Sequence, residues 1–191
     1  MKTLLVVVHP RRESLTFAAA RAFAAELTRH GATPEWADLV REGFDAVLRE
    51  PDEPDWSDPG KRYSAAVQAE MARIERNEAT VLVFPVWWWS VPALLKGWID
   101  RVWNNGWAYG GRSYPHRRVW MIGIAGASAG AYRERGYDEA MRTQLEVGVL
   151  EYCGIAERRL ELLHGAIEGA AEAQAVLARA AALGALFAAR R

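Results

Sequence analysis

The sequence predicts an α/β fold of three layers, in which helices cover both faces of a five-stranded parallel sheet with the strand order 2-1-3-4-5. Short, continuous apolar runs at residues 3–8 and 79–84 are typical of strands that are buried on both faces. Segments with helical periodicity alternate with such runs along the chain, which is the pattern of parallel strands joined by crossover helices. The sequence contains no internal repeat and no visible domain boundary, so we expect residues 1–191 to form a single domain.

Local signals support each element in turn. The strands are predicted at residues 3–8, 34–39, 79–84, 119–125 and 160–164. The helices are predicted at residues 16–29, 63–77, 92–102, 138–152 and 169–190. Gly31 ends the first helix, Pro85 ends the third strand and Pro92 begins the third helix, in line with the backbone preferences of glycine and proline.

A long polar connection, residues 41–61, separates the second strand from the second helix. Pro51, Pro54 and Pro59 exclude a regular helix there. Connections of this length are uncommon inside a compact domain and are usually functional. We therefore expect this segment to contribute to a binding site or to an interface.

The composition limits the classes of function. Lys and Arg together number 24 and balance 24 Asp and Glu, which argues against nucleic-acid binding and, more weakly, against a freely diffusing electron carrier. The single cysteine cannot form an internal disulfide, which favours a reducing, cytoplasmic compartment, and the apolar neighbours of Cys153 favour a buried, inert thiol. No signal peptide is visible, and no uninterrupted apolar run approaches the ~20 residues of a membrane helix, so we expect no membrane insertion. The four histidines show no metal-ligand spacing, so we expect no metal site.

The predicted topology indicates where a ligand should bind. In doubly wound sheets, ligands lie beyond the carboxyl ends of the strands, so the loops after strands one, three and four should carry the site. The first of these, residues 9–16, leads into a helix that Ser14 or Thr16 can cap, and the free N–H groups of a helix start attract anions. Arg11 and Arg12 add positive charge. A phosphate site and a simple capped helix with solvated arginines are both consistent with this loop, which lacks the glycine-lysine pattern of nucleotide hydrolases.

Tryptophan dominates the loop after the third strand. Six of the nine tryptophans lie between Trp87 and Trp107, and residues 87–89 are all tryptophan. Because neighbouring side chains point in different directions, at least one of the three should face a cavity or a partner. A planar aromatic ligand stacked there would gain about 0.5–1.5 kcal/mol per contact. A core or dimer-interface cluster is the alternative for Trp88 and Trp89, and it carries more weight for Trp98 and Trp103.

Small residues fill the loop after the fourth strand, GIAGASAGAY at residues 123–132. They allow backbone N–H groups to approach a ligand closely, here the polar edge of a flat heterocycle. Glycine-rich turns are common, so this loop gains its meaning from its position beside the other two. Tyr109, in the preceding connection, is either a wall for a second aromatic ligand or an ordinary loop tyrosine.

The stretch FPVWWWSVPALLKGWIDRV at residues 84–102, followed by Trp107-Ala108-Tyr109, closely resembles the NAD(P)H:quinone oxidoreductases, the DT-diaphorase-like branch of the flavodoxin-like enzymes. The likeness runs from the first strand to about His164. The resemblance implies a flavodoxin-like fold and a homodimer with flavin sites near the subunit interface. It also implies two-electron, ping-pong hydride transfer from NAD(P)H through the flavin to a quinone-like acceptor.

The resemblance implies roles for individual residues by position. The residues that would surround the flavin phosphate are His9, Ser14, Leu15 and Thr16. Those that would run along the isoalloxazine are Pro85, Val86, Trp87 and Trp88, with backbone contacts from Ala125, Gly126 and Ala127. The nicotinamide or quinone would face Trp89 and Tyr109. Tyr132, with Tyr137, would stabilise charge on the reduced flavin, because Asp138 stands where the best-known members carry a histidine and an ionised aspartate would disfavour negative charge.

The resemblance leaves the flavin open between FAD and FMN. The long connection with Gly43-Phe44-Asp45 resembles the FAD-binding branch and favours FAD, whereas Gln174 stands where some members place a basic residue against the adenine. Trp87 replaces a smaller polar residue and would narrow the pocket. Hypotheses from other classes are a flavin-binding regulatory subunit of a membrane transporter, a flavodoxin-type electron carrier and a flavin-free structural dimer.

Overall fold

A computed structural model describes residues 1–189, which contain one five-stranded sheet. Its strands are β1 Lys2–Val7, β2 Thr33–Asp38, β3 Ala79–Pro85, β4 Arg118–Ile124 and β5 Glu157–Leu163. All neighbouring strands pair in parallel, in the order β2-β1-β3-β4-β5. The predicted flavodoxin-like topology is confirmed.

Helices cover both faces of this sheet. They are α1 Leu15–Arg29, α2 Ala65–Glu75, α3 Ala93–Val102, α4 Ala129–Glu134, α5 Tyr137–Met141 and α6 Ala170–Ala189, with a π-helix at Arg142–Glu151 and a 3-10 turn at Glu50–Asp52. Three helices begin at a serine, because the hydroxyls of Ser14, Ser64 and Ser128 accept hydrogen bonds from backbone N–H groups of the first turn.

Two apolar cores lie on the two faces of the sheet. Side chains alternate along β1, so that Leu4 and Val6 join the core that includes residues of α2 and α3, whereas Leu5 and Val7 join the core that includes residues of α1 and α6. Because helices cover both faces, β1, β3 and β4 are continuous apolar runs in the sequence.

The last helix, α6, packs along α1. Its buried face carries Val176, Ala180, Leu183, Gly184 and Phe187. A Cβ on Gly184 would lie 2.5 Å from the carbonyl oxygen of Phe23, so the glycine permits the close approach of the two helices. By length and composition α6 could cross a membrane, and in this fold it covers one of the two cores. The predicted end of this helix at Arg190 lies outside the described residues.

The predicted helix at residues 138–152 forms as one helical run, α5 followed directly by the π-helix, which ends at Glu151. The prediction missed α4, which Gly136, with a φ of 69°, separates from α5. In the π-helix, Gly148 and the β-branched residues Thr143 and Val147 weaken the ordinary α form. The strand β5 begins at Glu157 rather than at residue 160. The prediction missed its first three residues because they are charged and show no apolar run.

The connection at residues 41–61 is fixed to α3. Asp52 is 2% exposed, and its Oδ2 lies 2.6 Å from Nη2 of Arg101, which is also buried. The Arg101 guanidinium stands 5.2 Å over the ring of Phe44. The backbone of Ala46 packs directly against Gly97, which leaves no room for a side chain at that position. This packing gives the connection a structural role.

Candidate active site

The strand register brings three loops to one edge of the sheet. Val7 pairs with Val83, and Val83 pairs with Ile122. These residues lie near the carboxyl ends of β1, β3 and β4, so the following loops begin side by side, at the place where doubly wound sheets bind ligands. We call this edge, formed by residues 8–16, 86–92 and 125–128, the loop rim.

The first loop of the rim presents unpaired backbone donors. The Ser14 hydroxyl accepts a hydrogen bond from the N–H of Phe17 at 3.3 Å, and the Ser14 N–H donates to the carbonyl of Arg11 at 3.2 Å. The N–H groups of Leu15 and Thr16, in the first turn of α1, have no acceptor within residues 1–189. Free N–H groups at a helix start carry partial positive charge and favour an anion.

His9 links the first loop to the second. Its Nδ1 accepts the N–H of Arg11 at 3.0 Å, and its ring centre lies 6.0 Å from that of Trp87. Burial lowers the pKa of His9, and a hydrogen bond donated to the Arg11 carbonyl oxygen would oppose this effect, so the ring is mainly neutral at pH 7. Arg12 lies 3.4 Å from Asp38, whereas Arg11 forms no ion pair within the described part of the chain.

The second loop is a tight turn with two tryptophans at its centre. Trp87 and Ser90 exchange backbone hydrogen bonds of 3.2 and 3.1 Å, and Trp88 and Trp89 have φ angles of 52° and 53°. Positive φ at both central positions defines a type I′ turn, which normally carries Asn-Gly. These are the two non-glycine residues with positive φ among residues 1–189, and each such conformation costs about 1–2 kcal/mol. The Trp88 side chain is 88% exposed, so a strained turn holds an aromatic ring out at the rim.

The third loop is held from behind by the turn that follows β5. The carbonyl oxygens of Ala125, Gly126 and Ala127 accept hydrogen bonds of 3.0, 3.3 and 3.0 Å from N–H groups of residues 165–167. The N–H groups of Gly126 and Ala127 have no acceptor anywhere in the described residues. Two adjacent free donors suit the carbonyl and ring-nitrogen edge of a flat heterocycle.

Two tyrosines complete the rim beside the third loop. The ring of Tyr132, in α4, is buried and stands edge-on to Tyr137 at 5.8 Å, while Tyr137 stacks on Trp89 at 4.2 Å. Burial raises the pKa of Tyr132, so its hydroxyl stays protonated at neutral pH and can donate a hydrogen bond. The structure thus brings Tyr132, Tyr137 and Trp89 together in one aromatic wall.

Tyr109 lies apart from this wall. Its ring contacts those of Trp56 and Tyr152, each at 5.5 Å. These three residues line a cleft of about 300 Å³ between α3 and the π-helix. No ring contact joins Tyr109 to Trp89 within residues 1–189, so the expected pair around one ligand is not formed by a single chain.

The remaining predicted residues contribute mainly through their backbone. Pro85 is the buried end of β3, and the N–H of Val86 donates to the carbonyl of Ile124 at 2.9 Å, which fixes the start of the second loop. Ser14 rather than Thr16 caps α1, and Thr16 is buried with its side chain in the first turn.

Two features of the rim have no clear signal in the sequence. His164 follows β5, and its ring stands 4.8 Å from that of Tyr132. The segment 165–167 clamps the third loop through backbone hydrogen bonds, which leave no side-chain pattern. Only the pairing of β4 with β5 places both features beside the loop rim.

The loop rim fits a flat, phosphorylated heterocycle such as a flavin. Its free backbone donors at the start of α1 and at Gly126 and Ala127 lie in the two loops on either side of the tryptophan turn. Trp87 and Trp89 are 45% and 40% exposed, so the tryptophans leave the rim open instead of filling a core. Within residues 1–189, no three His, Cys, Asp or Glu side chains gather as a metal site.

Comparison with known proteins shows the family of the chain. The model of a family described as having a flavodoxin-like fold matches residues 1–186. The uncharacterized NAD(P)H oxidoreductase YcaK of Escherichia coli is 36% identical over 160 residues, which cover 83% of this chain and 81% of that protein. NAD(P)H dehydrogenase (quinone) 1 of Cavia porcellus is 24% identical over 86% of this chain and 68% of its own length. The solved structure of an NAD(P)H:quinone oxidoreductase from Methanothermobacter marburgensis has a TM-score of 0.92 and 29% identity, and the match covers 98% of this chain and 96% of that one.

The fold and the relatives define an oxidoreductase of the flavodoxin-like class. The chain belongs to the flavodoxin-like family of NAD(P)H:quinone oxidoreductases. The chain is therefore an enzyme of the NAD(P)H dehydrogenase type.

Proposed function

We propose that this protein is a flavin-dependent NAD(P)H:quinone oxidoreductase that transfers two electrons to a quinone-like acceptor in a ping-pong cycle. The observation that carries the proposal is the meeting of three loops at one edge of the sheet, two of which hold free backbone donors. The donors of α1 and those of Gly126 and Ala127 flank the tryptophan turn. This arrangement suits a ligand with a phosphate at one end and a flat ring with a polar edge at the other.

The binding residues divide by their chemistry. The phosphate would accept hydrogen bonds from the N–H groups of Leu15 and Thr16, with the Ser14 hydroxyl and His9 beside it. The flat ring would lie along the backbone of residues 85–88, whose second loop is fixed by its own hydrogen bonds. The side chains of Trp87 and Trp88 would lie beside the bound ring and exclude water from it.

When bound, the flavin supplies a hydride acceptor for NAD(P)H and a two-electron donor for the quinone. The N–H groups of Gly126 and Ala127 would stabilise the negative charge that reduction places on the polar edge of the ring. The Tyr132 hydroxyl, kept protonated by its raised pKa, would donate a further hydrogen bond there. Tyr137 would hold Trp89 in place by stacking, at the surface that NAD(P)H and the quinone occupy in turn.

A homodimer would complete the substrate site. Tyr109 does not reach Trp89 within one chain, and a second subunit would bring its own Tyr109 to that ring. The cleft around Tyr109 is bordered by exposed apolar side chains that a partner would cover: Leu48, Trp56 and Tyr152. Burial of such side chains is the main source of dimer stability.

The cofactor is proposed to be FAD, with FMN as the alternative. The support for FAD is the resemblance of the 41–61 connection to the FAD-binding branch, and packing of this connection on α3 supplies no contact that selects FAD over FMN. We further propose a single domain that acts in the cytoplasm, which agrees with the buried single thiol of Cys153. Its partners would be NAD(P)H and the quinone, without nucleic acid or membrane insertion.

The visible absorption spectrum of the purified protein, followed by chromatography of the released cofactor, tests the flavin and separates FAD from FMN. Steady-state kinetics with NADH or NADPH and a simple benzoquinone test the cycle, and parallel double-reciprocal lines are expected. The proposal would be contradicted if the purified protein is colourless and if the spectrum of added FAD or FMN does not change when the protein is present. A stable one-electron step in a redox titration would favour the electron carrier instead.

A further inference from the structure

His164 occupies a distinctive place behind the loop rim. It follows directly after β5, and the next residues, 165–167, clamp the third loop. Its imidazole stands edge-on to the Tyr132 ring, with 4.8 Å between ring centres and 79° between planes. The main chain turns immediately afterwards at Gly165, which has a φ of 82° and so fixes the direction of the strand end.

The His164 side chain has a buried nitrogen that nothing satisfies. Nε2 is inaccessible to water and has no hydrogen-bond partner within residues 1–189. A buried, unsatisfied polar atom normally costs stability, and each such atom in a folded protein calls for an explanation. An apolar side chain of similar shape would pack against Tyr132 without that cost. The retained imidazole therefore points to a role beyond packing.

Several charged groups face His164 from the neighbouring elements. Burial lowers the pKa of His164, the carboxylate of Asp138 in α5 opposes this effect, and the guanidinium of Arg133 in α4 reinforces it. Arg179 of α6 and His164 line one small cleft, and the charge of Arg179 is paired with that of Glu161 at 3.2 Å. The pKa of His164 thus lies below its usual range, so the imidazole is mainly neutral at pH 7 and gains its proton only at lower pH.

We propose that His164 is a positioning residue for Tyr132, which holds the phenol ring edge-on at the loop rim and places a titratable group behind it. The inference rests on the proposed function, in which the Tyr132 hydroxyl donates a hydrogen bond to the reduced flavin. Neutral His164 fixes the ring. Protonated His164 adds a positive charge beneath Tyr132, which strengthens the hydroxyl as a donor and favours negative charge on the neighbouring ligand.

Stopped-flow reduction of the holoenzyme by NAD(P)H across pH 5 to 8 tests this role. In the wild type the rate should rise as the pH falls through a midpoint below about 6.5. His164→Phe keeps an aromatic ring, and His164→Gln keeps a polar group, so both variants should still bind flavin. Both should lose the step, which is the rise in the reduction rate at low pH. At the acidic end both should be slower than the wild type by about tenfold, the size expected for one charge at close range. The control His30→Gln replaces a histidine at the carboxyl end of α1, whose opposite end lies at the loop rim, and this variant should keep the step. A step of unchanged midpoint and size in both His164 variants would overturn the proposal.

A second measurement works without catalysis. In protein labelled with ¹³C in its tyrosine rings, the signals of Tyr132 should shift with the protonation of His164, because the two rings are in contact. The shift should disappear in His164→Phe and His164→Gln and persist in His30→Gln. Tyr132 signals that ignore the protonation of His164 would refute the positioning role. If the protein takes up no flavin, the proposed function fails, while this experiment still decides the relation between His164 and Tyr132.

Discussion

Replacement of Trp88 by asparagine should stabilise the fold and at the same time impair the enzyme. Trp88 is held at a φ of 52°, a conformation that costs most L-residues about 1–2 kcal/mol and that asparagine tolerates better. Its side chain is 88% exposed, and its one ring contact is with Trp89 at 6.0 Å, edge-on. Loss of an exposed contact of this kind costs at most about 0.5 kcal/mol, the low end for aromatic pairs. The net gain is about 0.5–1 kcal/mol.

Thermal unfolding measures this gain. For a chain of this size, 0.5–1 kcal/mol raises Tm by roughly 1–4 °C. Trp88→Ala is a matched control, because it removes the same ring contact, whereas alanine tolerates a φ of 52° no better than tryptophan does. This control should gain nothing and lose its ring contact.

The kinetic half of the prediction concerns the substrate side of the rim. If Trp88 and its neighbour form an aromatic surface for planar ligands, Trp88→Asn should raise KM for NAD(P)H or the quinone by about twofold to tenfold, the loss of one stacking contact. A Tm that falls by about 2 °C or more would show that the turn is not strained. Unchanged kinetics would remove Trp88 from the site. A rise in Tm with weaker binding is the signature of strain kept for function.

Three further predictions follow from the described contacts. Asp52→Asn leaves the buried Arg101 guanidinium without its charged partner, and urea unfolding should show a free energy of unfolding lower by about 3 kcal/mol. A decrease of less than about 1 kcal/mol would contradict the prediction, because it is the size expected for an exposed ion pair. Burial lowers the pKa of His116, whose two ring nitrogens form hydrogen bonds with the Thr80 hydroxyl at 2.8 Å and the Asn77 carbonyl at 2.7 Å. Below about pH 6.5 the unfolded chain therefore binds more protons than the folded one, and the free energy of unfolding should decrease as the pH is lowered. This decrease should be smaller in His116→Asn, and an equal decrease in the variant would contradict the explanation. Tyr132→Phe should fold normally yet slow flavin reduction in stopped flow by about tenfold or more, and an unchanged rate would remove this hydroxyl from the mechanism.

The architecture was predictable because its signals are local. β1, β3 and β4 are buried on both faces and are therefore continuous apolar runs, and Pro85 and Pro92 mark the ends of the second loop of the rim. Trp98 and Trp103 pack in the core, one of the two alternatives that the sequence leaves for them, and their rings lie 6.1 Å apart.

The segment between β4 and β5 was not predictable in the same way. α4 has six residues, too few to show a helical period, and the pattern that predicts a helix at residues 138–152 does not distinguish the π form from the α form. The start of β5 carries charged residues that pair across the sheet edge, as Arg118 does with Glu157 at 2.6 Å. Such strands have no apolar run to reveal them.

The site shows the same division between local and long-range information. Ser14 as a helix cap and the exposed tryptophans follow from residue type and spacing. The clamp at residues 165–167 and the contact of His164 with Tyr132 depend on sheet pairing between distant segments. The separation of Tyr109 from Trp89 is also a three-dimensional fact, because both residues lie near each other in sequence.

A crystal structure of the protein grown with FAD, or with FMN, would locate the flavin on the chain. We expect the flavin phosphate within hydrogen-bond distance of the Leu15 and Thr16 nitrogens, and the polar edge of the ring within such distance of the Gly126 and Ala127 nitrogens. A flavin bound elsewhere on the chain, or a loop rim left empty at saturating flavin, would contradict this expectation.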